Sequence, residues 1–107
     1  MQIHVTDHNQ ELCIRPDCDR LDMPVAATFR KRCIEAAQAT KSLVIDLSLV
    51  RFIDSSGLGA MVGILNALGP DGRIALVAPQ KSTRMLLEVT GLDTVFSVYE
   101  SLDRVPA

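Results

Sequence analysis

Histidine is scarce in this sequence and cysteine comes in an odd number, and both facts restrict its chemistry. The only histidines, His4 and His8, stand as a His-x3-His pair beside a polar turn, without the further ligands a metal ion needs. They read instead as polar residues of an opening hairpin. Cys13, Cys18 and Cys33 have no C-x-x-C spacing, which argues against a disulfide framework or a zinc site and for reduced thiols in a cytosolic protein. Neither a metal nor a cofactor is expected. No stretch approaches the roughly 18 apolar residues of a membrane span, and Met1-Gln2-Ile3-His4 lacks the basic-then-apolar pattern of a signal peptide. The 11 Lys and Arg residues are scattered through a chain of net charge −2, with no basic stripe for nucleic acid. A soluble, cytoplasmic protein that neither binds nucleic acid nor inserts into a membrane is the expectation.

What is present is a chain of 107 residues, 48% apolar and 22% charged, which is the make-up of a single globular domain over residues 1–107. Ile3 to Val5 and Glu11 to Arg15 flank the polar cluster Asp7-His8-Asn9-Gln10 and read as an antiparallel hairpin. From Pro24 to about Ala39, Val25, Phe29 and Cys33 recur every fourth residue as a helical stripe, with Asp22 as a candidate cap. Leu43 to Leu47 reads as a strand buried on both faces. A helix is expected from Ser55 to Leu68, with Leu58, Met61, Val62, Leu65 and Leu68 on its inner stripe and Gly69-Pro70 ending it. Ile74 to Ala78 is a further strand. Lys81 to Thr90 is a helix with Met85, Leu86 and Val89 inward and Gly91 at its end. Val95 to Tyr99 is the last strand, followed by one or two helical turns through Leu102 and Val105. Strands alternating with helices imply a mixed, mostly parallel sheet with helices packed on it, an α/β domain in the order ββαβαβαβα.

The most unusual stretch is Asp54-Ser55-Ser56-Gly57-Leu58-Gly59, at the handover from the loop Ser48 to Ile53 into a helix. Asp54 or Ser55 can accept hydrogen bonds from the free N–H groups of the first turn. Gly57, Gly59 and Gly63 each cost that helix about 1 kcal/mol relative to Ala, so something requires a bare backbone. Gly59 and Gly63 share a face and are expected to pack closely on the sheet. Gly57 is expected at the exposed entry, where another protein can approach. The serines suggest a nucleophile, a phosphate binder or a phosphate acceptor. A nucleophile needs a base, but both histidines are far away in the hairpin, and a hydrolase elbow would have Gly where Asp54 stands. A nucleotide cradle would have Lys after the glycines, where Ala60 and Met61 follow Gly59.

These residues resemble the STAS domain family, particularly its stand-alone bacterial anti-sigma factor antagonists. The likeness runs over almost the whole chain. It is most specific in Leu43-Val44-Ile45-Asp46-Leu47 followed by Phe52-Ile53-Asp54-Ser55-Ser56-Gly57-Leu58-Gly59. It continues in Val77-Ala78-Pro79, Arg84-Met85-Leu86 and Gly91-Leu92-Asp93. The resemblance implies a STAS-like fold and a protein that is not an enzyme. It implies Ser56 as a phosphate acceptor and a partner-binding surface of Asp22, Asp54, Ser55, Ser56, Gly57, Leu58 and Gly59. The family's Gly-Glu-Leu-Asp stretch corresponds to Asp19-Arg20-Leu21-Asp22, where Asp22 matches and the Gly-Glu does not, and the loop carrying Pro16 is one residue longer. The implied partners are an anti-sigma factor that is also a serine kinase of the histidine-kinase-like ATPase type, and a PP2C-type phosphatase. The alternatives are a STAS subunit of a lipid-transport ABC complex, which docks an ATPase without phosphorylation, and a nucleotide-binding role. The intact Asp-Ser-Ser-Gly favours the switch.

Overall fold

A computed structural model describes residues 1–9, 11–38 and 40–106. The chain runs β1 (Gln2–His8), β2 (Glu11–Asp17), β3 (Arg20–Leu21), α1 (Met23–Ala36), β4 (Ser42–Asp46), β5 (Phe52–Ile53), α2 (Ser55–Leu68), β6 (Arg73–Val77), α3 (Lys81–Thr90) and β7 (Ser97–Tyr99). Short 3-10 turns follow at Leu92–Thr94 and Leu102–Arg104. Five strands form one sheet in the order β1-β2-β4-β6-β7. Only the β1–β2 hairpin is antiparallel; the other pairs are parallel, joined by helical crossovers.

Helix boundaries follow the local chemistry. α2 begins after Asp54 and ends at Gly69, which takes φ 95° ahead of Pro70. α3 ends at Gly91 in the left-handed conformation, φ 75°, a geometry that costs glycine little. α1 stops at Ala36, short of the expected end; Ala39, like the turn residue Gln10, lies outside the described residues.

The hairpin strands are longer than their apolar content suggested, because the ladder continues through Thr6, Asp7 and His8 opposite Cys13, Leu12 and Glu11. Backbone pairing holds these polar residues in a strand at the sheet edge. In β4, Leu43, Val44 and Ile45 are fully buried, as a central parallel strand requires. One face of the sheet meets the helices through Ile14, Leu43, Ile45, Phe29, Cys33, Met61, Ile64 and Leu87. The other carries a smaller cluster of Cys13, Val44 and Val77, closed by Val105 from the C-terminal segment.

Two inner stripes differ from the expected ones. On α2, Ile64 is fully buried and Val62 and Leu65 only partly, packed at the margin of the core. On α3 the inward residues are Thr83 and Leu87, four apart, whereas Met85 is 55% and Val89 83% exposed. Apolar residues occur on both sides of α3, so composition alone pointed to the wrong face.

Candidate functional site at the starts of α1 and α2

The site is assembled by the smallest structural unit of the chain. β3 and β5 pair in parallel with Arg20 beside Phe52 and Leu21 beside Ile53. Asp22 and Asp54 are each the next residue, and each stands at the N-cap of a helix, α1 and α2 respectively. Two residues of pairing therefore set two helix starts side by side.

The two aspartates do different work. Asp54 Oδ1 accepts from the Gly57 N–H at 3.0 Å, and its own N–H donates to the Leu21 carbonyl at 3.4 Å. Asp22 begins α1 through its backbone carbonyl, which accepts from Ala26 N–H at 2.9 Å. Its side chain makes no cap, contrary to expectation; it accepts from Arg20 Nε at 3.2 Å instead. The Arg20 guanidinium lies over the Phe52 ring, 4.2 Å from its centroid, an electrostatically favourable stack.

Ser55 is exposed and Ser56 half-buried, at the first and second positions of α2. Since Asp54 serves the Gly57 and Leu58 amides, the N–H groups of Ser55 and Ser56 are the first-turn donors without a partner among the described residues, at the positive end of the helix dipole. That end suits an anionic group.

The glycines divide differently from the expectation. Gly57 is buried, not exposed: a Cβ there would overlap the Leu21 carbonyl and meet Ile53 Cγ1 at 2.7 Å. Close packing of α2 on β3 and β5 explains it. Gly63 faces the Arg30 side chain of α1 rather than the sheet. Gly59 is exposed, with open space where a Cβ would stand, so nothing inside the described residues requires a glycine there. Leu58 is 4% exposed and belongs to the core. Of the residues expected at a partner surface, Asp22, Asp54, Ser55, Ser56 and Gly59 gather at the surface, and Gly57 and Leu58 support it from within.

The sequence reading missed the apolar rim. Met23, which follows Asp22, Phe52, two residues before Asp54, and Leu49 in the loop ahead of β5 are exposed. The loop that carries Leu49 and leads into Phe52 is tied to the start of α3 by Gln80 Nε2 donating to the Ser48 carbonyl and by Ser82 Oγ donating to the Arg51 carbonyl, each 3.2 Å. The available signal was the pattern Leu49-Val50-Arg51-Phe52-Ile53, in which Val50 and Ile53 turn inward and leave Leu49 and Phe52 outside. Among the described residues no helix is long and apolar enough to cross a membrane.

A hairpin leading a parallel sheet, helices on its inner face and a serine-glycine helix start define a STAS domain. The chain matches that family over residues 2–105 and belongs to it. It is 30% identical over 101 residues to the anti-sigma-F factor antagonist RsfB of Mycobacterium tuberculosis, across 94% of this chain and 82% of that protein. The crystal structure of an anti-sigma factor antagonist from Mycobacterium paratuberculosis is similar at TM-score 0.84 and 31% identity, covering 95% of this chain and 87% of that one. The phosphorylated form of the Bacillus cell fate determinant SpoIIAA shares the fold at TM-score 0.69 and 23% identity, over 98% of this chain and 100% of that one. Family and fold class thus agree with the sequence reading, and relatives of the chain are anti-sigma factor antagonists.

Proposed function

We propose that this chain is a cytoplasmic anti-sigma factor antagonist that works by partner switching. Unphosphorylated, it docks an anti-sigma factor that is also a serine kinase of the histidine-kinase-like ATPase type, freeing a sigma factor. Phosphorylation on Ser56 releases the partner, and a PP2C-type phosphatase restores the hydroxyl. The observation that carries the reading is the placement of Ser56 on the first turn of α2, between a carboxylate already committed to capping and an exposed Gly59 with no internal role.

Phosphate adds about −1.5 to −2 charge and three acceptor oxygens. On Ser56 that charge meets unpaired amides and the positive helix end, so the fold tolerates it. At a docked interface the same group stands beside Asp54 and Asp22, where like or unpaired charge costs several kcal/mol. Affinity collapses while the domain stays folded. The bond-making chemistry belongs to the kinase and phosphatase; this chain supplies a hydroxyl and a surface, and its histidines lie on β1, where His4 meets Asp17 at 3.1 Å.

The test is incubation with the cognate kinase and ATP, read by intact mass and peptide mapping. One phosphate on Ser56, lost in Ser56→Ala, is the expected result, together with kinase binding weakened by about 2 kcal/mol, roughly thirtyfold, in Ser56→Asp. Phosphate on Ser55, or unaltered kinase binding by Ser56→Asp, would overturn the assignment.

A further inference from the structure

β1 is an edge of the five-stranded sheet and, among the described residues, pairs on one side only, with β2. Edge strands present unpaired N–H and C=O groups, which proteins blunt with shortness, charged side chains (lysine above all), proline or a bulge; the one carboxylate of β1, Asp7, stands next to its far end. The opposite edge is blunted by length, since β7 has only three residues. β1 has seven, contains neither Lys nor Pro, and runs in unbroken register along β2. It is mostly exposed, and Val5 on it is a large apolar side chain left 46% in solvent.

The strand is also self-complementary. Ile3 pairs with Pro16 and Val5 with Ile14, so Ile3 and Val5 lie on the helix-covered face; Gln2, His4 and Thr6 lie on the other. When two identical edges pair antiparallel about a twofold axis perpendicular to the sheet, directly opposed residues share a face. Centring the axis on His4 sets Ile3 opposite Val5 of the second copy and Gln2 opposite Thr6, apolar with apolar and polar with polar, and it moves the one apolar-to-carboxylate pair, Met1 against Asp7, out to the end of the overlap, where Met1 precedes the strand. Moving the centre to Val5 would set Ile3 against Asp7, and moving it to Thr6 would set Val5 against Asp7. Centring on Ile3 shortens the overlap.

We propose that a second copy of this chain docks on the β1 edge in the register centred on His4, joining two sheets into one and covering Val5 with Ile3 of the other copy. The contact is independent of the switch at Ser56, which lies on α2.

Sedimentation equilibrium tests the association. The expected result is a concentration-dependent rise from the 11.7 kDa chain mass to twice that value, lost in Val5→Lys while its melting curve by circular dichroism stays like that of the parent. Cysteine cross-linking tests the register, in a Cys18→Ser background because Cys13 and Cys33 are buried. Opposed residues in antiparallel strands have Cα separations of about 4.5–5.5 Å, within disulfide reach. His4→Cys should therefore form a covalent dimer on oxidation, and Thr6→Cys should not. A mass that stays at 11.7 kDa up to about 1 mM, a dimer that persists in Val5→Lys, or equal cross-linking by Thr6→Cys would overturn the proposal.

Discussion

The carbonyl oxygen of Leu21 occupies the place where a side chain on Gly57 would begin. That carbonyl cannot drift away freely, because Leu21 is paired with Ile53 and its oxygen also receives the Asp54 N–H at 3.4 Å. Gly57→Ala must therefore pry α2 from β3 and β5, and overpacking of this kind costs about 1–3 kcal/mol. At Gly59 the space is open, and Gly59→Ala should gain up to about 1 kcal/mol from helix propensity. Urea denaturation of the two variants should move in opposite directions from the parent. Equal shifts would mean that the close approach at Leu21 does not govern the helix start.

The contrast between these glycines also marks where the sequence was legible. The bounds of α2 and α3 were readable because their stop signals, Gly69-Pro70 and Gly91, are local chemistry, as is the Asp54 cap. The serine-bearing turn was readable for the same reason. β3 and β5 were not, because two-residue strands have no periodicity and exist only through each other. Without that pairing, only the family resemblance put Asp22 and Asp54 on one surface, and nothing showed that Gly57 faces inward. The outward turn of Met85 and Val89 was equally hidden, since burial on α3 is decided by what packs against Leu87 and not by the apolar character of the helix itself.

Buried thiols make stability fall at high pH. Burial raises the Cys33 thiol from its ordinary 9.0 to about 12, against the opposing pull of Arg32. Cys13 is raised by burial and then by Asp46, and Cys18 by burial and then by Asp17, Asp22 and Asp19. For a group whose folded pKa lies above its unfolded one, stability is fully present below the unfolded value and is lost as pH rises toward the folded one. The loss should begin near pH 9 and continue to about 12, at up to 1.4 kcal/mol per pH unit from Cys33 alone. Urea midpoints measured from pH 8 upward should fall, and Cys33→Ala, though less stable throughout, should fall less steeply. An unchanged slope in Cys33→Ala would show that this thiol does not ionise on unfolding. At pH 8 a thiol reagent should label Cys18 first, because Cys13 and Cys33 are buried.

The paired aspartates offer the sharpest separation of similar residues with different roles. Both are N-cap residues, yet only Asp54 uses its carboxylate for the cap, accepting from Gly57 at 3.0 Å. Losing a side-chain cap costs about 0.5–2 kcal/mol, so Asp54→Ala should lose that much stability, and Asp54→Asn, which keeps an acceptor, should recover most of it. Asp22→Ala removes a partly exposed pair with Arg20 at 3.2 Å, whose side chains are 21% and 59% exposed. Exposed pairs contribute about 0–1 kcal/mol, and screening by solvent places this one in the lower part of that range. Asp22→Ala should therefore melt within a degree or two of the parent, while freeing Arg20 from one of its two contacts and leaving the stack on Phe52. Thermal melts of the three variants at one pH and salt concentration decide the matter. A loss in Asp22→Ala as large as in Asp54→Ala would mean that the Asp22 carboxylate also caps its helix in solution, and that the two helix starts are built alike.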